Sequence, residues 1–348
     1  MKIYIKAFFS ENLGDDIFIK ILTERYKNHK FYGISNGFKK YRNCYSNLKV
    51  WSNSYIFRII RKFKLEKYLA KRCDISLTIG GSMFMEENPN DKNREFNLKK
   101  DNNYIIGCNF GPYNSKEYFE NVKSAFQNAE DVCFREEYSY NLFKDIKNVR
   151  KASDIAFLLN IENIKITNRK RVIFSVVLCD RKAKRCNRID YENKIIELMK
   201  YFINRNYEIT LMSFCKAERD EEAIQSLLNH CDNSLKNKID TYFYNGNVEE
   251  ALNVLGDSEI IVGTRLHANI LGMLLDKTIL PIAYSSKTIN ILEDMGYTGK
   301  IIDMNKIQEF HVNQLEDNDL RYKLDISFQK KDANRQFEKL DKVLGVEI

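Results

Sequence analysis

Side chains that could hold an anion gather at turns where an apolar run stops and a helical pattern begins. The densest is Gly263-Thr264-Arg265-Leu266-His267-Ala268, entered from Ile260, Ile261 and Val262. There Arg265 offers a planar fork of donors suited to phosphate or carboxylate, and a helix start adds amides and the positive end of its dipole. Histidine is the side chain whose ordinary titration lies near neutral pH, and His267 is one of only four in the chain. Tyr284-Ser285-Ser286-Lys287 ends the next apolar run, so Lys287 would bring a second cation, and Arg135 follows the run at 131–134. Two further turns lack cations. Asn12-Leu13-Gly14-Asp15-Asp16 follows the first apolar run; Gly14 permits a tight turn and Asp15 or Asp16 is expected to cap the helix behind it. Gly80-Gly81-Ser82 would let a ligand or a backbone approach closely and present amides to an anion.

The elements that must position these turns are short β-like runs alternating with helical patterns. Strands are expected at 2–9, 30–34, 74–79, 104–110, 131–134 and 154–158, then at 172–178, 208–214, 239–243, 259–262 and 278–283. Helices lie between most of them; Tyr118, Phe119, Val122 and Phe126 form one apolar stripe within 115–129. This alternation predicts an α/β protein of parallel sheets built from βαβ units. A polar stretch at 161–170 interrupts it, which divides the chain into an N-terminal domain, 1–164, and a C-terminal domain, 165–348, with a helical tail. Two doubly wound, Rossmann-like domains facing a cleft would put every turn named above at the carboxyl ends of strands, where such sheets bind ligands.

Composition narrows the function classes. A chain of 348 residues with 44% hydrophobic and 12% aromatic residues folds rather than staying disordered, and Pro 3 with Gly 14 excludes collagen-like and linker classes. Lys+Arg 56 against Asp+Glu 48 gives +8, with the signs interspersed. The densest basic patch, RKAKRCNR at 181–188, contains no aromatic for base stacking, so no nucleic-acid partner is expected. Eight cysteines without a CxxC pair read as buried thiols of a reducing compartment, and no metal is expected, His230-Cys231 included. The N-terminus reads as neither signal nor transit peptide and no run is long enough for a membrane span, which predicts a cytoplasmic protein.

In this order, the blocks NLGDD, LTIGGSMF, IIGCNFGPY, DVCFREEYSYNLF, SDIAFLL and VGTRLHANILGMLLDKTILPIAYSSK resemble the polysaccharide pyruvyl transferase family. The last block is the most specific. The resemblance implies a GT-B-like architecture and a bacterial enzyme of exopolysaccharide or capsule assembly. It further implies transfer of a pyruvyl group from phosphoenolpyruvate to a sugar of the polysaccharide or of its lipid-linked precursor, leaving a ketal and phosphate. No cofactor is implied beyond phosphoenolpyruvate as donor substrate. Carried over by motif, Arg265, Leu266 and His267 would bind phosphoenolpyruvate with Arg135 as a further anion contact, and NLGDD matches the amino-terminal motif. Where members of the family have a fuller glycine run, this chain has Gly80-Gly81 followed by Ser82. The chemistry fits the residue types. A ligand carrying both phosphate and carboxylate needs two cations, which Arg265 with Arg135 or Lys287 would supply. His267 is the candidate acid for the methylene carbon, and Asp15 or Asp16 the candidate base for the acceptor hydroxyl.

Two rivals keep the fold: a GT-B glycosyltransferase with Arg265 and Lys287 on the pyrophosphate of a nucleotide sugar, and a non-catalytic scaffold of glycan assembly. The segment IFRIIRKFKLEKYLAKR at 56–72 reads either as an ordinary surface helix or as a peripheral contact with an anionic membrane surface, where a lipid-linked acceptor would lie.

Overall fold

The computed structural model describes residues 1–35, 44–52, 55, 58, 60, 65–88, 90–91, 94, 96, 99, 101–179 and 187–346. The chain forms two compact units, the first of Met1–Ser10, Asp15–Leu159 and Ser327–Ile348, the second of Glu11–Gly14 and Asn160–Ile326.

The first unit is built on β1 (Lys2–Lys6), β2 (Lys30–Ser35), β3 (Leu48–Ser52), β4 (Ile75–Ile79), β5 (Asn103–Cys108), β6 (Asp131–Phe134) and β7 (Val149–Lys151). Their order is β3-β2-β1-β4-β5-β6-β7, and every pairing is parallel. β4, β5 and β6 are buried along their whole length, so that even their polar side chains, Ser76, Thr78, Asn103 and Asp131, lie inside. The order reverses between β1 and β4, and the turns carrying Asp15 and Gly80-Gly81 leave those two strands. The helix Lys116–Gln127, capped by Ser115, buries Tyr118, Val122 and Phe126. Phe143 meets Phe110 and Phe126 edge to face at 5.0 and 4.9 Å, each contact contributing about 1 kcal/mol beyond burial.

The second unit holds β8 (Arg171–Ser175), β9 (Glu208–Met212), β10 (Ile239–Tyr242), β11 (Ile260–Gly263), β12 (Thr278–Ala283) and β13 (Ile302–Asp303). The order is β10-β9-β8-β11-β12-β13, again parallel throughout. Here the reversal falls between β8 and β11. Val172, Phe174, Ile195, Leu198, Phe202 and Val262 are among the side chains that fill the core.

Three expectations are corrected. The strand expected at 154–158 is a short 3-10 helix, Ile155–Leu158, because the Asp154 carboxylate accepts from the Ala156 N–H and turns the chain at once. Three strands, β3, β7 and β13, were not expected, since short edge strands carry little apolar signal. The division falls between Leu159 and Asn160, and the tail after Ile326 belongs to the first unit instead of the second. Its ties are polar. Arg25 grips Asp341 at 2.8 and 2.7 Å, Tyr26 donates to the same carboxylate at 2.7 Å, and Ser153 donates its N–H to Asp332 at 2.7 Å. The Gln336 amide donates to the carbonyls of Phe134, Ala152 and Ser153 and accepts from the Gly107 N–H.

Among the described residues, no helix is long and apolar enough to cross a membrane. Of the segment 56–72, a helix is seen at Glu66–Lys71, and most of 56–64 lies outside the described residues, as do 181–186 of the basic patch. Among the described cysteines all are free, and all but Cys44 are buried.

Candidate functional site

Each sheet carries expected site residues at its point of reversal, the place where this class of sheet binds ligands. In the second unit the chain leaves β11 at Gly263, pairs the Thr264 N–H with the Ser175 carbonyl of β8 at 3.1 Å, and starts the helix Leu266–Leu274 with Arg265 as its N-cap. Thr264 is fully buried and its hydroxyl meets the Tyr191 hydroxyl at 3.1 Å. Asn269, also fully buried, donates to the carbonyls of Gly263 (2.9 Å) and Arg265 (3.2 Å), locking the turn from inside the helix. A side chain at 263 would collide with it, since a Cβ there would lie 2.3 Å from Asn269 Oδ1.

Arg265 has no side-chain cap bond and an extended backbone, which sends its side chain away from the helix axis to the start of the helix Asp220–His230. Its Nε donates to Asp220 Oδ2 at 3.2 Å, Nη2 donates to Asp220 Oδ1, and Nη1 donates to Glu218. Asp220 also accepts from the N–H groups of Phe214 (3.0 Å) and Cys215 (2.9 Å). Burial works against the charge on Arg265, yet the two carboxylates outweigh it and its pKa rises above the ordinary arginine value. Arg265 therefore does not stand as an open fork: with Asp220 and Glu218 it forms a trio of net negative charge. Burial pushes the neighbouring Cys215 thiol up to about 12, so it is no thiolate nucleophile.

His267 lies in the first turn of the same helix, half-buried. Its ring rests on Gly14: a Cβ at Gly14 would fall 2.0 Å from Nδ1 and 2.5 Å from Cγ. Gly14 is brought there because Glu11–Gly14 joins the second unit through an antiparallel bridge between Asn12 and Cys215 and a 2.9 Å bond from the Leu13 N–H to the Phe214 carbonyl. Asn12, directly before the helix Leu13–Arg25, accepts from the Gly14 N–H at 3.0 Å. The expected cap is thus corrected: Asn12 fills that position, while Asp15 and Asp16 sit inside the first turn, both buried. Leu266, between Arg265 and His267, is half-buried. The backbone of Lys287 starts the helix Ser286–Asp294, and its side chain lies outside the described residues.

The first unit brings together Asp15, Gly80, Gly81 and Arg135. Gly80 adopts φ +139, a region favouring glycine, and a Cβ there would sit 3.5 Å from Asp15 Oδ1. Gly81 lets Arg135 lie against its Cα; a Cβ would be 2.3 Å from Nη2. That guanidinium is buried, donating to Asp154 Oδ2 at 2.7 Å and to Asn109 Oδ1 at 3.1 Å. Arg135, expected as an open anion contact, is in place as one half of an internal ion pair.

Sequence reasoning missed Glu218, Asp220, Asn269, Asp154 and Asn109. Glu218 and Asp220 stand in the run AERDEEA, which reads as a solvated helix start. Asn269 had one signal, a lone polar residue in the otherwise apolar stretch ANILGML.

Two parallel α/β units with glycine-bearing turns at their points of reversal define the two-domain class to which GT-B proteins belong. Within it, the family model for polysaccharide pyruvyl transferase matches residues 12–286, and the chain belongs to that family. A search of curated proteins finds no match. Among solved structures, the chain is similar to the Methanocaldococcus jannaschii UDP-GlcNAc 2-epimerase in complex with UDP-GlcNAc and UDP, at 13% identity, 98% coverage of this chain and 100% of that one, TM-score 0.58. It is also similar to Anabaena HepE in complex with UDP and glucose (12% identity, 99% of each chain, TM-score 0.55). A third likeness is to a putative UDP-N-acetylglucosamine 2-epimerase from Listeria monocytogenes (9% identity, 100% and 97% coverage, TM-score 0.58). At these identities the likeness shows the fold.

Proposed function

We propose that this chain transfers the pyruvyl group of phosphoenolpyruvate to two hydroxyls of a sugar, in a cell-surface polysaccharide or its lipid-linked precursor, forming a ketal and releasing phosphate. The observation that supports it most is His267, seated on Gly14 two residues after the anchored Arg265, at the point of reversal of the second sheet. His267 as imidazolium gives a proton to the methylene carbon, and positive charge develops at the adjacent carbon, where the first sugar hydroxyl attacks. The imidazole takes that hydroxyl's proton and returns it to the bridging oxygen as the carbon–oxygen bond to phosphate breaks. Attack by the second hydroxyl closes the ketal and restores the imidazolium. Arg265, held by Asp220, opposes the charge on the donor. Asp15 is the second candidate for the hydroxyl proton, and loss of transfer in Asp15→Asn would assign it that role.

The test is incubation of the protein with phosphoenolpyruvate and candidate glycans, read by mass spectrometry and phosphate release. The expected result is a pyruvyl ketal on the glycan matched by equimolar phosphate, formed on the order of a thousandfold more slowly by His267→Ala. Binding of a nucleotide sugar without binding of phosphoenolpyruvate would refute it in favour of glycosyl transfer.

A further inference from the structure

Two carboxylates share the Arg265 guanidinium, and their surroundings differ. The Asp220 side chain is 0% exposed, bonded to two backbone N–H groups as well as to Arg265, so removing it would strand a buried charge. Glu218 is 37% exposed and stands in the turn before the helix. Its carboxylate reaches water, and Arg265, itself buried, keeps both bonds to Asp220 when Glu218 leaves, so the swing strands no unpaired charge. While both carboxylates are in place the trio carries a net negative charge and repels an incoming anion. With Glu218 displaced, Arg265 and Asp220 are balanced, and one terminal nitrogen of the fork again has an N–H group to offer.

We propose that Glu218 is an internal competitor for the anionic donor: it occupies the donor's place on Arg265 and must swing out before the donor binds. The inference rests on the reading of Arg265 as the donor's cation. It makes Glu218 a determinant of donor affinity, with Asp220 as the fixed anchor. The competitor selects for a ligand able to replace a carboxylate on one guanidinium edge, hence a phosphate or carboxylate and not a neutral sugar.

The test is calorimetric titration of the full chain with phosphoenolpyruvate and, separately, with inorganic phosphate. Glu218→Gln should tighten both by on the order of fivefold, the reciprocal of losing a partly exposed ion pair. Glu218→Ala should do the same, which guards against an effect peculiar to glutamine. Glu222→Gln removes an equal charge from the same neighbourhood, but Glu222 pairs with Arg219, so it should leave both affinities unchanged. Unchanged or weaker binding in both Glu218 variants, equal tightening by Glu222→Gln, or no binding of either probe to the Glu218 variants would overturn the proposal. Tighter phosphate binding without pyruvyl transfer to any glycan would leave Glu218 as competitor and remove the transferase chemistry instead.

Discussion

Replacing Gly14 by alanine tests one contact above all, because the three atoms nearest the new carbon all belong to the His267 ring. Gly14 lies in the first turn of a helix without a left-handed backbone, where alanine is intrinsically favoured by ~1 kcal/mol. What resists is the His267 ring, 2.0 Å from the new carbon where an ordinary contact begins at 3.4 Å. The imidazole must therefore retreat by about 1.4 Å, and a misplacement of about 1 Å in a reacting group costs on the order of a hundredfold in rate. That is ~2.7 kcal/mol of transition-state stabilisation. Overpacking of about 1–3 kcal/mol is partly offset by the helix preference, so unfolding stability should fall by no more than ~2 kcal/mol. The assay is phosphate release with saturating acceptor, beside urea unfolding of the same variant. Gly14→Ala should lose about a hundredfold in kcat/KM while staying folded, and His267→Ala/Gly14→Ala should be no worse than His267→Ala, since both changes act through one ring. Activity of Gly14→Ala within twofold of the parent, or losses that multiply in the double variant, would refute the reasoning.

Asp220→Asn leaves the buried Arg265 short of its main counter-charge and should cost roughly 3 kcal/mol in urea unfolding; a loss below 1 kcal/mol would mean that Glu218 alone suffices. Gly81→Ala drives a methyl into the Arg135 guanidinium and should break its pair with Asp154, lowering stability by about 2–4 kcal/mol, with Asp154→Asn/Gly81→Ala less than additive. Gln336→Ala should cost about 2–3 kcal/mol, because the Gly107 N–H and three carbonyls lose a buried partner. Burial would raise the pKa of Asp332, but bonds from Arg335 and from the N–H and hydroxyl of Ser153 outweigh it and hold it below 3.8. A depressed folded pKa means that Asp332 contributes stability above 3.8 that is lost as the pH falls through its folded value. Unfolding curves across that window should show a shallower acid loss in Asp332→Asn than in the parent.

The sequence by itself determined the class of fold and the turns that matter. Apolar runs such as Ile260–Gly263 and 279–283 read as strands covered on both faces, and parallel pairing follows from the helices between them. Gly14, Gly80, Gly81 and Gly263 stand in the turns that follow strands; His267, Arg135 and Asn269 occupy the place of a Cβ at 14, 81 and 263, and Met83 presses on it at 80. Periodicity reports burial, so it finds strands and helices; it does not report which polar groups satisfy one another. That pairing belongs to the tertiary structure. Arg265 looked like an open fork because Glu218 and Asp220 lie across another βα turn, and Arg135 looked open because Asp154 sits beyond the next helix and strand. The tail after Ile326 was assigned to the wrong unit because Asp341 is a polar residue whose burial only its contact with Arg25, far away along the chain, makes affordable. A buried charge is stable only beside its partner, and which partner that is depends on contacts of about 3 Å that only the folded chain creates.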